Sequence, residues 1–465
     1  MSIAKIAFRN VFRNRRRSTM TVSTIIVGAV SVLLIGAMLG FVTLDFQSSV
    51  VRRSGHLTIY KKGYFEFGAG NSSAYGIADY QGLATMVRDD PVLRPMITIV
   101  TPVQDVLGLA GNYEADRSKP FFGRGIVPRD HAQMRQWDDF HLGTAGSSQP
   151  EMPDDLHTGV VGIGMGRILG LCAALHIARC NAPPRAAPAK AAAADPQIQQ
   201  LSALRDADRP GPDTTNKAEQ GAHIDLLAAT AGGAPNVVGL NVDHAESQGS
   251  REIDDNYVLM HLELAQQLAY GRGEHKVTGI VLQLRRSADL QAARTRLYEI
   301  FKTRHLDLEV RDFSELTPLY KQVLAFFAFL FSFVAIVLAV VVLFTVVNTM
   351  SMAVMERIDE IGTARALGLT RAKVRRQFML EGCLLGVIGA TLGVVVAAGI
   401  AWLMNISNVS WTPPTAAGPV PLKLFISDSL SIGTWLCLVA LASLASLFPA
   451  NRASRMNVVD ALRHV

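Results

Sequence analysis

Met355-Glu-Arg-Ile-Asp-Glu-Ile-Gly-Thr-Ala-Arg-Ala-Leu-Gly368 is a short, charged, helix-forming stretch held between two long apolar runs. Residues 323–350 on one side and 382–404 on the other contain no Asp, Glu, Lys or Arg. Two further uncharged runs, 18–44 and 429–450, bring the set to four. Each reaches the roughly 20 residues that cross about 30 Å of hydrocarbon as a helix. A helix satisfies its own backbone hydrogen bonds, so each run is self-sufficient in lipid.

Composition agrees with this reading. The chain is 49% hydrophobic and only 18% charged, and the apolar excess sits in the four runs. Run 18–44 is too long for the core of a signal peptide and no small-x-small site follows Leu44, so it reads as a retained helix. The formal charge is +6. Its placement is informative: Lys5, Arg9, Arg13, Arg15, Arg16 and Arg17 precede the first run without an acid among them. Arg357, Arg365, Arg371, Lys373, Arg375 and Arg376 follow the second, and Arg452, Arg455 and Arg463 follow the fourth. The positive-inside bias therefore puts both termini and residues 351–381 in the cytoplasm, and residues 45–318 and 405–428 outside. Basic charge so distributed reports membrane topology rather than nucleic-acid binding.

The expected fold class is a membrane protein of four transmembrane α-helices with a large extracytoplasmic α+β domain inserted between helices 1 and 2. Residues 1–17 form an amphipathic stripe (Ile3, Ile6, Ala7, Phe8, Val11, Phe12) beside arginines that reach lipid phosphates. The outer domain, 45–318, reads in two parts. Residues 55–60 and 236–242 are strands, 92–109 holds β-branched runs suited to strands, and 159–171 is a strand followed by a short helix. Residues 257–269 read as a helix, 277–284 as a strand and 290–303 as a helix. Between them, 181–221 is rich in Pro and Ala and reads as a mobile insertion. Residues 46–52 extend the first span outward as a stalk, and 313–322 does the same for the second, 319–350.

The charged stretch has a physical design. Arg357 and Glu360 are spaced i, i+3 and can pair. Gly368 suits a left-handed residue closing a helix, and Thr370 suits the N-cap of the next. The expectation is a helix of about four turns, a sharp turn, and a second helix running into the third span. Ile358, Ile361, Ala364 and Leu367 supply an apolar face for a partner. In the third span, Gly382/Gly386 and Gly389/Gly393 are small-residue pairs for close helix approach. They fit either a permease–permease contact or span–span packing within one chain.

Other chemistry is sparse. Cys172, His176 and Cys180 share one face if their segment is helical, a set able to bind zinc or copper but lacking a fourth ligand. A buried small-residue face is the preferred reading, so no metal site is assigned. Helical rise would part the two cysteines by about 12 Å, too far for a disulfide, whereas a bent or extended segment permits one. Cys383 and Cys437 lie in spans. Gly162-Ile-Gly-Met-Gly166 reads as a turn rather than a dinucleotide fingerprint. No Gly-Lys dipeptide occurs, so the chain has no P-loop, and HExxH and Gly-x-Ser-x-Gly are absent as well. Asp154-Asp155 and Asp254-Asp255 read as solvated loop acids rather than a cation site.

Glu356-Arg-x-x-Glu-Ile-Gly-x-x-Arg-Ala-Leu-Gly368, with Val374 and Phe378-x-x-Glu-Gly382 after it, resembles the FtsX-like (MacB/LolCE-type) ABC transporter permease family. Pro449-Ala-x-Arg-Ala-Ser-Arg-Met-x-Val-Val-Asp-Ala-Leu-Arg463 resembles the family's ending, and Arg9-Asn-x-x-Arg-Asn-x-Arg-Arg17 its opening. Residues 159–171 and the loop carrying Pro413, Pro414 and Gly418 resemble it more weakly. After Leu171 the family's Gly-Asp and strand are replaced by Cys172-Ala-Ala-Leu-His-Ile-Ala-Arg-Cys180. The resemblance implies a non-catalytic permease whose coupling helix docks on a separate ABC ATPase through Met355, Glu356, Arg357, Glu360, Ile361, Gly362, Arg365, Ala366, Leu367 and Gly368. It implies ATP and Mg on that partner and none here, and a dimer with a second permease copy or paralogue. It implies a multi-pass place in the cytoplasmic (inner) membrane, and an extracytoplasmic adaptor or cargo such as a lipoprotein or lipid-related molecule. The rival reading is an FtsX-like regulator that activates an extracytoplasmic cell-wall hydrolase and transports nothing.

Overall fold

The computed structural model describes residues 9, 13, 15–68, 72–142, 151–177, 222–248, 251–271, 273–407, 409–411 and 420–455. The expected insertion at 181–221, the loop with Pro413, Pro414 and Gly418, and all but a few residues of the amphipathic stripe lie outside these. The chain divides into two compact units. One comprises residues 1–47, 317–411 and 420–465, and the other 48–316 with 412–419.

Helix α1, Arg15–Ser54, is 40 residues long and unbroken, so the stalk expected at 46–52 is the continuation of the first apolar helix. Its last turns, from Ser48, already belong to the second unit.

Among the described residues that unit is built on nine strands and five helices of six residues or more. In chain order they are β1 (Leu57–Lys61), α2 (Tyr80–Asp89), β2 (Ile97–Asn112), β3 (Arg117–Ile126), α3 (Pro128–Arg135), β4 (Thr158–Gly162), α4 (Ile163–Ile168), β5 (Ala222–Ala229), β6 (Pro235–Glu246), β7 (Tyr257–His261), α5 (Leu262–Tyr270), β8 (Gly279–Leu284), α6 (Leu290–Thr303) and β9 (Leu308–Asp312). Strand order is β3-β7-β4-β6-β5-β2-β8-β1-β9, and an added β2–β3 pairing closes the first six strands on themselves. The 16-residue β2 serves both halves: residues 97–103 pair with β8, and 104–112 pair with β3. Three cores follow. Leu57, Ile59, Val100 and Leu282 pack with Val87 of α2 and Leu297 of α6. Val106, Phe121, Ile224 and Val258 pack with Met165 of α4 and Leu264 of α5. A third gathers Ile99, Val103, Ile126, Val160, Leu259 and Val281 with Met134 of α3. The unit is therefore α+β.

Three local readings are corrected. Residues 257–269 are not one helix: Tyr257–His261 is a strand paired parallel to β3 and antiparallel to β4, and only Leu262–Tyr270 is helical. A short apolar run buried on both sides carries no period that separates strand from helix. Gly164 and Gly166 lie in α4 rather than in a turn. The lead-in to the second span is interrupted: a helical turn at Phe313–Leu316 ends, Thr317 leaves helical geometry (φ −121°, ψ 80°), and the next helix starts at Pro318. A residue before proline is pushed out of the helical region by the ring.

The remaining helices are α7 (Pro318–Met355), α8 (Ile358–Ala366), α9 (Arg371–Ile406), α10 (Asp428–Ala445) and α11 (Leu447–Arg455). With α1 up to Gln47 they form the first unit, and among the described residues four helices are long and apolar enough to span a membrane. Its core includes Ile25, Ala29, Val346, Phe378, Leu385 and Ala442. Phe326, Phe329, Phe333 and Phe344 of α7 point outward, an apolar surface of the kind lipid covers.

The four glycines of α9 settle as intrachain contacts. A methyl group on Gly382 would meet Ser446 Cβ at 2.5 Å, and one on Gly386 would meet Ala442 Cβ at 2.9 Å. One on Gly389 would meet Ile25 Cβ at 2.7 Å, and Gly393 abuts Ala29 and the Ile26 backbone. The first pair therefore seats the fourth span and the second pair seats α1.

Candidate coupling surface

Helix α7 stops at Met355, and α8 begins three residues later after a break at Glu356 and Arg357. The charged segment is thus a helix of nine residues, about two and a half turns rather than four. Asp359 and Glu360 in its first turn and Arg365 in its last complement the helix dipole. Its end is the Schellman arrangement: Leu369 N–H donates to Ala364 O at 3.0 Å, Gly368 N–H donates to Arg365 O at 3.0 Å, and Gly368 has φ +98°. Thr370 sits at the N-cap of α9 in extended geometry, but its hydroxyl makes no capping bond.

The expected pairing of Arg357 with Glu360 is replaced by longer-range contacts. Arg357 Nη1 donates to Glu381 Oε1 of α9 at 3.3 Å, with both side chains largely buried. Arg17 of α1 grips Glu356 with both guanidinium nitrogens, Nη1 reaching Oε2 at 2.6 Å. Arg13 reaches Glu360 at 3.3 Å in an exposed pair of little energetic weight. Arg17, Glu356, Arg357 and Glu381 thus join α1, the α7–α8 break and α9. Two motifs separated in sequence, Glu356-Arg and Phe378-x-x-Glu-Gly, meet here. Sequence reasoning misses this, although a signal is present: Glu381 stands at the threshold of an apolar run, and a buried carboxylate requires a cation.

The apolar face expected on α8 is divided. Ile361 and Gly362 are buried with Val354, Val374 and Phe378 in the unit's own core, and Ile358 and Ala364 are half-buried. Arg365 is half-buried too. Met355, Glu356, Asp359, Glu360, Thr363, Ala366, Leu367 and Gly368 are exposed, Leu367 most of all at 84%. On α11, Pro449, Ala450, Ala453 and Ser454 are buried, so the C-terminal motif also joins this end of the unit. A surface results that is fixed from behind and open on one edge.

The remaining candidates do not assemble. Residues 172–176 form turns, not a helix, and His176 has φ +50°. Cys172 is disulfide-bonded, so its sulfur is no thiolate ligand. Cys180 lies outside the described residues. The Cys172-His176-Cys180 face is therefore corrected: α4 has already ended when Gly170 turns left-handed at φ +78°. Among the described residues no group of His, Cys, Asp or Glu could hold a metal ion. Asp155 accepts from Thr158 Oγ1 at 2.8 Å, and Asp254 accepts from Ser247 Oγ and Gln248 N–H, so these acids order loops.

Residues 329–458, which include α8 and the four glycines, match the family model described as FtsX-like permease C-terminal. ABC transporter permease YtrF of Bacillus subtilis (strain 168) is 30% identical over 135 residues, 28% of this chain and 31% of that protein. Macrolide export ATP-binding/permease protein MacB of Neisseria gonorrhoeae is 27% identical over 192 residues, 41% of this chain and 28% of that protein. The chain spans about a third or less of the length of these curated relatives. Among solved structures, the periplasmic region of MacB from Actinobacillus actinomycetemcomitans covers 58% of this chain and 95% of its own, at 12% identity and a TM-score of 0.29. The part of the chain whose motifs gather at the basic end of the four apolar helices, residues 329–458, is thus similar to the C-terminal domain of FtsX-like permeases.

Proposed function

We propose that this chain is the transmembrane subunit of an ABC transporter complex in the cytoplasmic membrane, and that α8 docks on a separate ATPase carrying the ATP and Mg. Nucleotide-driven motion then passes through the membrane helices to the β-rich unit. There it drives export or extraction of a substrate such as a lipoprotein or lipid-related molecule, with a second permease copy or paralogue completing the assembly. The observation that carries this reading is the construction of α8. It lies between two membrane-type helices, locked behind by Ile361 and the Arg357–Glu381 pair, with Asp359, Thr363 and Leu367 open in front. A rigid, half-covered helix is suited to receiving a push. The disulfide at Cys172 supports an oxidising, extracytoplasmic place for the β-rich unit.

Leu367→Asp is the direct test, because the side chain makes no core contact to lose. The expected result is an intact, membrane-inserted protein that no longer retains its ATPase on purification and no longer stimulates ATP hydrolysis. Glu360→Lys should weaken the same association by a smaller factor. Normal assembly and turnover in both variants would reject α8 as the docking element.

A further inference from the structure

Helices α10 and α11 continue one another across Ser446. Ser446 N–H donates to Ala442 O at 3.1 Å, and Ala450 N–H donates to Ser446 O at 3.0 Å. The interruption falls where Pro449 has no N–H to offer Ala445 O. Along this helix Ile432, Leu436, Ala440, Leu444 and Phe448 recur every four residues, and all are exposed, the four larger ones by more than half. They form an unbroken i, i+4 ridge that winds slowly round the helix. Its next position is Arg452, and Arg455 stands beside it, both exposed. At about 100° per residue Phe448, Arg452 and Arg455 fall within about 60° of arc. They lie opposite Pro449, Ala450, Ala453 and Ser454, which are buried. Ala450 and Ala453 share a core with Val374 and Phe378 of α9, so the orientation of α11 is fixed from behind.

Charge changes abruptly on the ridge. No charged residue lies between Asp428 and Arg452. Helical rise parts those two by about 36 Å, against about 30 Å of hydrocarbon. Arg452 is one turn, about 6 Å, beyond Phe448. With the apolar ridge among acyl chains, the two guanidiniums stand at the level of lipid phosphates, whose oxygens they are shaped to bind. Among the described residues neither arginine has an ion-pair partner. The basic start of α9 is built otherwise. Arg375 and Arg376 are exposed, but no residue from 377 to 390 is, so no open apolar ridge leads to them.

We propose that Arg452 and Arg455, at the Phe448 end of this ridge, form a binding site for the phosphate headgroup of an anionic phospholipid whose acyl chains lie along the ridge. Two unpaired cations favour a headgroup of net negative charge over a zwitterionic one. The site rests on α10 crossing a membrane and needs no ATPase, so rejection of α8 as the docking element leaves it standing.

The test titrates the full-length chain in neutral detergent with phosphatidylglycerol and counts bound lipid by native mass spectrometry. Arg452→Gln with Arg455→Gln should lower the affinity at least about fivefold, with thermal unfolding unchanged because both side chains are exposed. Arg452→Lys with Arg455→Lys keeps the charge and should stay close to the parent. Arg375→Gln with Arg376→Gln removes the same charge from α9 and should also stay close to it. Phosphatidylcholine should bind the parent more weakly, and neither glycerophosphoglycerol nor inorganic phosphate should displace the bound lipid. Unchanged affinity in the Arg452/Arg455 glutamine variant overturns the site. Equal loss in the α9 variant reduces it to general charge attraction and overturns it too. Displacement by inorganic phosphate would make it a site for the free anion rather than for lipid. A glutamine variant that keeps its lipid but sheds the ATPase would assign the two arginines to protein docking and sink the proposal.

Discussion

The helical unit and the β-rich unit solve close packing in opposite ways. In the helical unit the closest contacts are made by absence of side chain: Gly382, Gly386, Gly389 and Gly393 let α9 approach α1 and α10. At one end Arg17, Glu356, Arg357 and Glu381 hold three elements together. In the β-rich unit the cores are branched aliphatics and aromatics between strands and helices. Polar groups run through it, including buried His56, Gln104, Thr278 and Gln283. Lipid supplies no hydrophobic drive between helices, so the membrane unit must rely on shape and on a few strong polar contacts. Water supplies that drive to the β-rich unit, which can then absorb polar groups at its joints.

The sharpest way to break this contrast is to remove a buried charge partner. Glu381→Ala takes the carboxylate from beside the buried Arg357 guanidinium and should cost about 3–5 kcal/mol, read as unfolding free energy in detergent. Asp105→Ala is the counterpart in the other unit, where Arg124 Nε reaches Asp105 at 2.8 Å. The two losses should be similar in size but separate in place. Exchange protection should fall in α8 and α9 for the first and in β2 and β3 for the second. A loss that spreads over both units in either variant would show that they do not unfold independently.

Overpacking should discriminate between the units more cleanly. Gly393→Leu forces a side chain against Ala29 and the Ile26 backbone. It should cost up to about 3 kcal/mol, the upper end for an overfilled core. A methyl group on Gly399 of the same helix would meet nothing within 4 Å, so Gly399→Leu is the matched control and should be neutral or slightly stabilising. Equal behaviour of the two variants in thermal unfolding would mean that α9 and α1 do not touch as described.

The same contrast explains which features are legible in the sequence. The four apolar helices are legible because membrane spans write themselves as uncharged runs. Gly368 is legible because only a few residue types tolerate its backbone angle. Helix α6 can be read to the residue, since its apolar positions recur at helical spacing before a polar stop. The strand within 257–269 is hidden because β7, buried along its centre, has lost its alternation. The partners of Glu356 and Arg357 are out of reach because they lie at Arg17 and Glu381, and local spacing favours the neighbour, Glu360. The Cys172 segment misleads for a related reason: helical spacing continues on paper past Gly170, where the backbone has turned left-handed. Of the coupling surface, sequence locates the helix and its closing turn, whereas which edge is open depends on packing by α9 and α11.

Acid is the gentlest probe and touches one unit only. Every histidine among the described residues lies in the β-rich unit, and none in the helical one. Burial holds His56 down to about 4, and burial, aided by Arg135, holds His131 down to about 4. A base depressed in the fold is protonated more readily in the unfolded chain. Its stabilisation is therefore complete above the ordinary histidine range and is lost as pH falls from about 6.5 towards 4. For His56 the loss at pH 5 should be about 2 kcal/mol. His244 works in the other direction: burial opposes its charge, but hydrogen bonds to Glu246 and Asp243 outweigh this and raise it, so it retains its contribution in acid and gives it up as pH rises. The net expectation is that exchange protection in β1, β8 and α3 declines between pH 6.5 and 4, while α9 and α10 stay protected once intrinsic exchange rates are corrected for. His56→Gln removes the larger part of that decline near β8, because an uncharged amide has no proton to gain. A decline of equal size in α9, or one that survives His56→Gln together with His131→Gln, would place the acid sensitivity in the carboxylates shared by both units and erase the distinction between them.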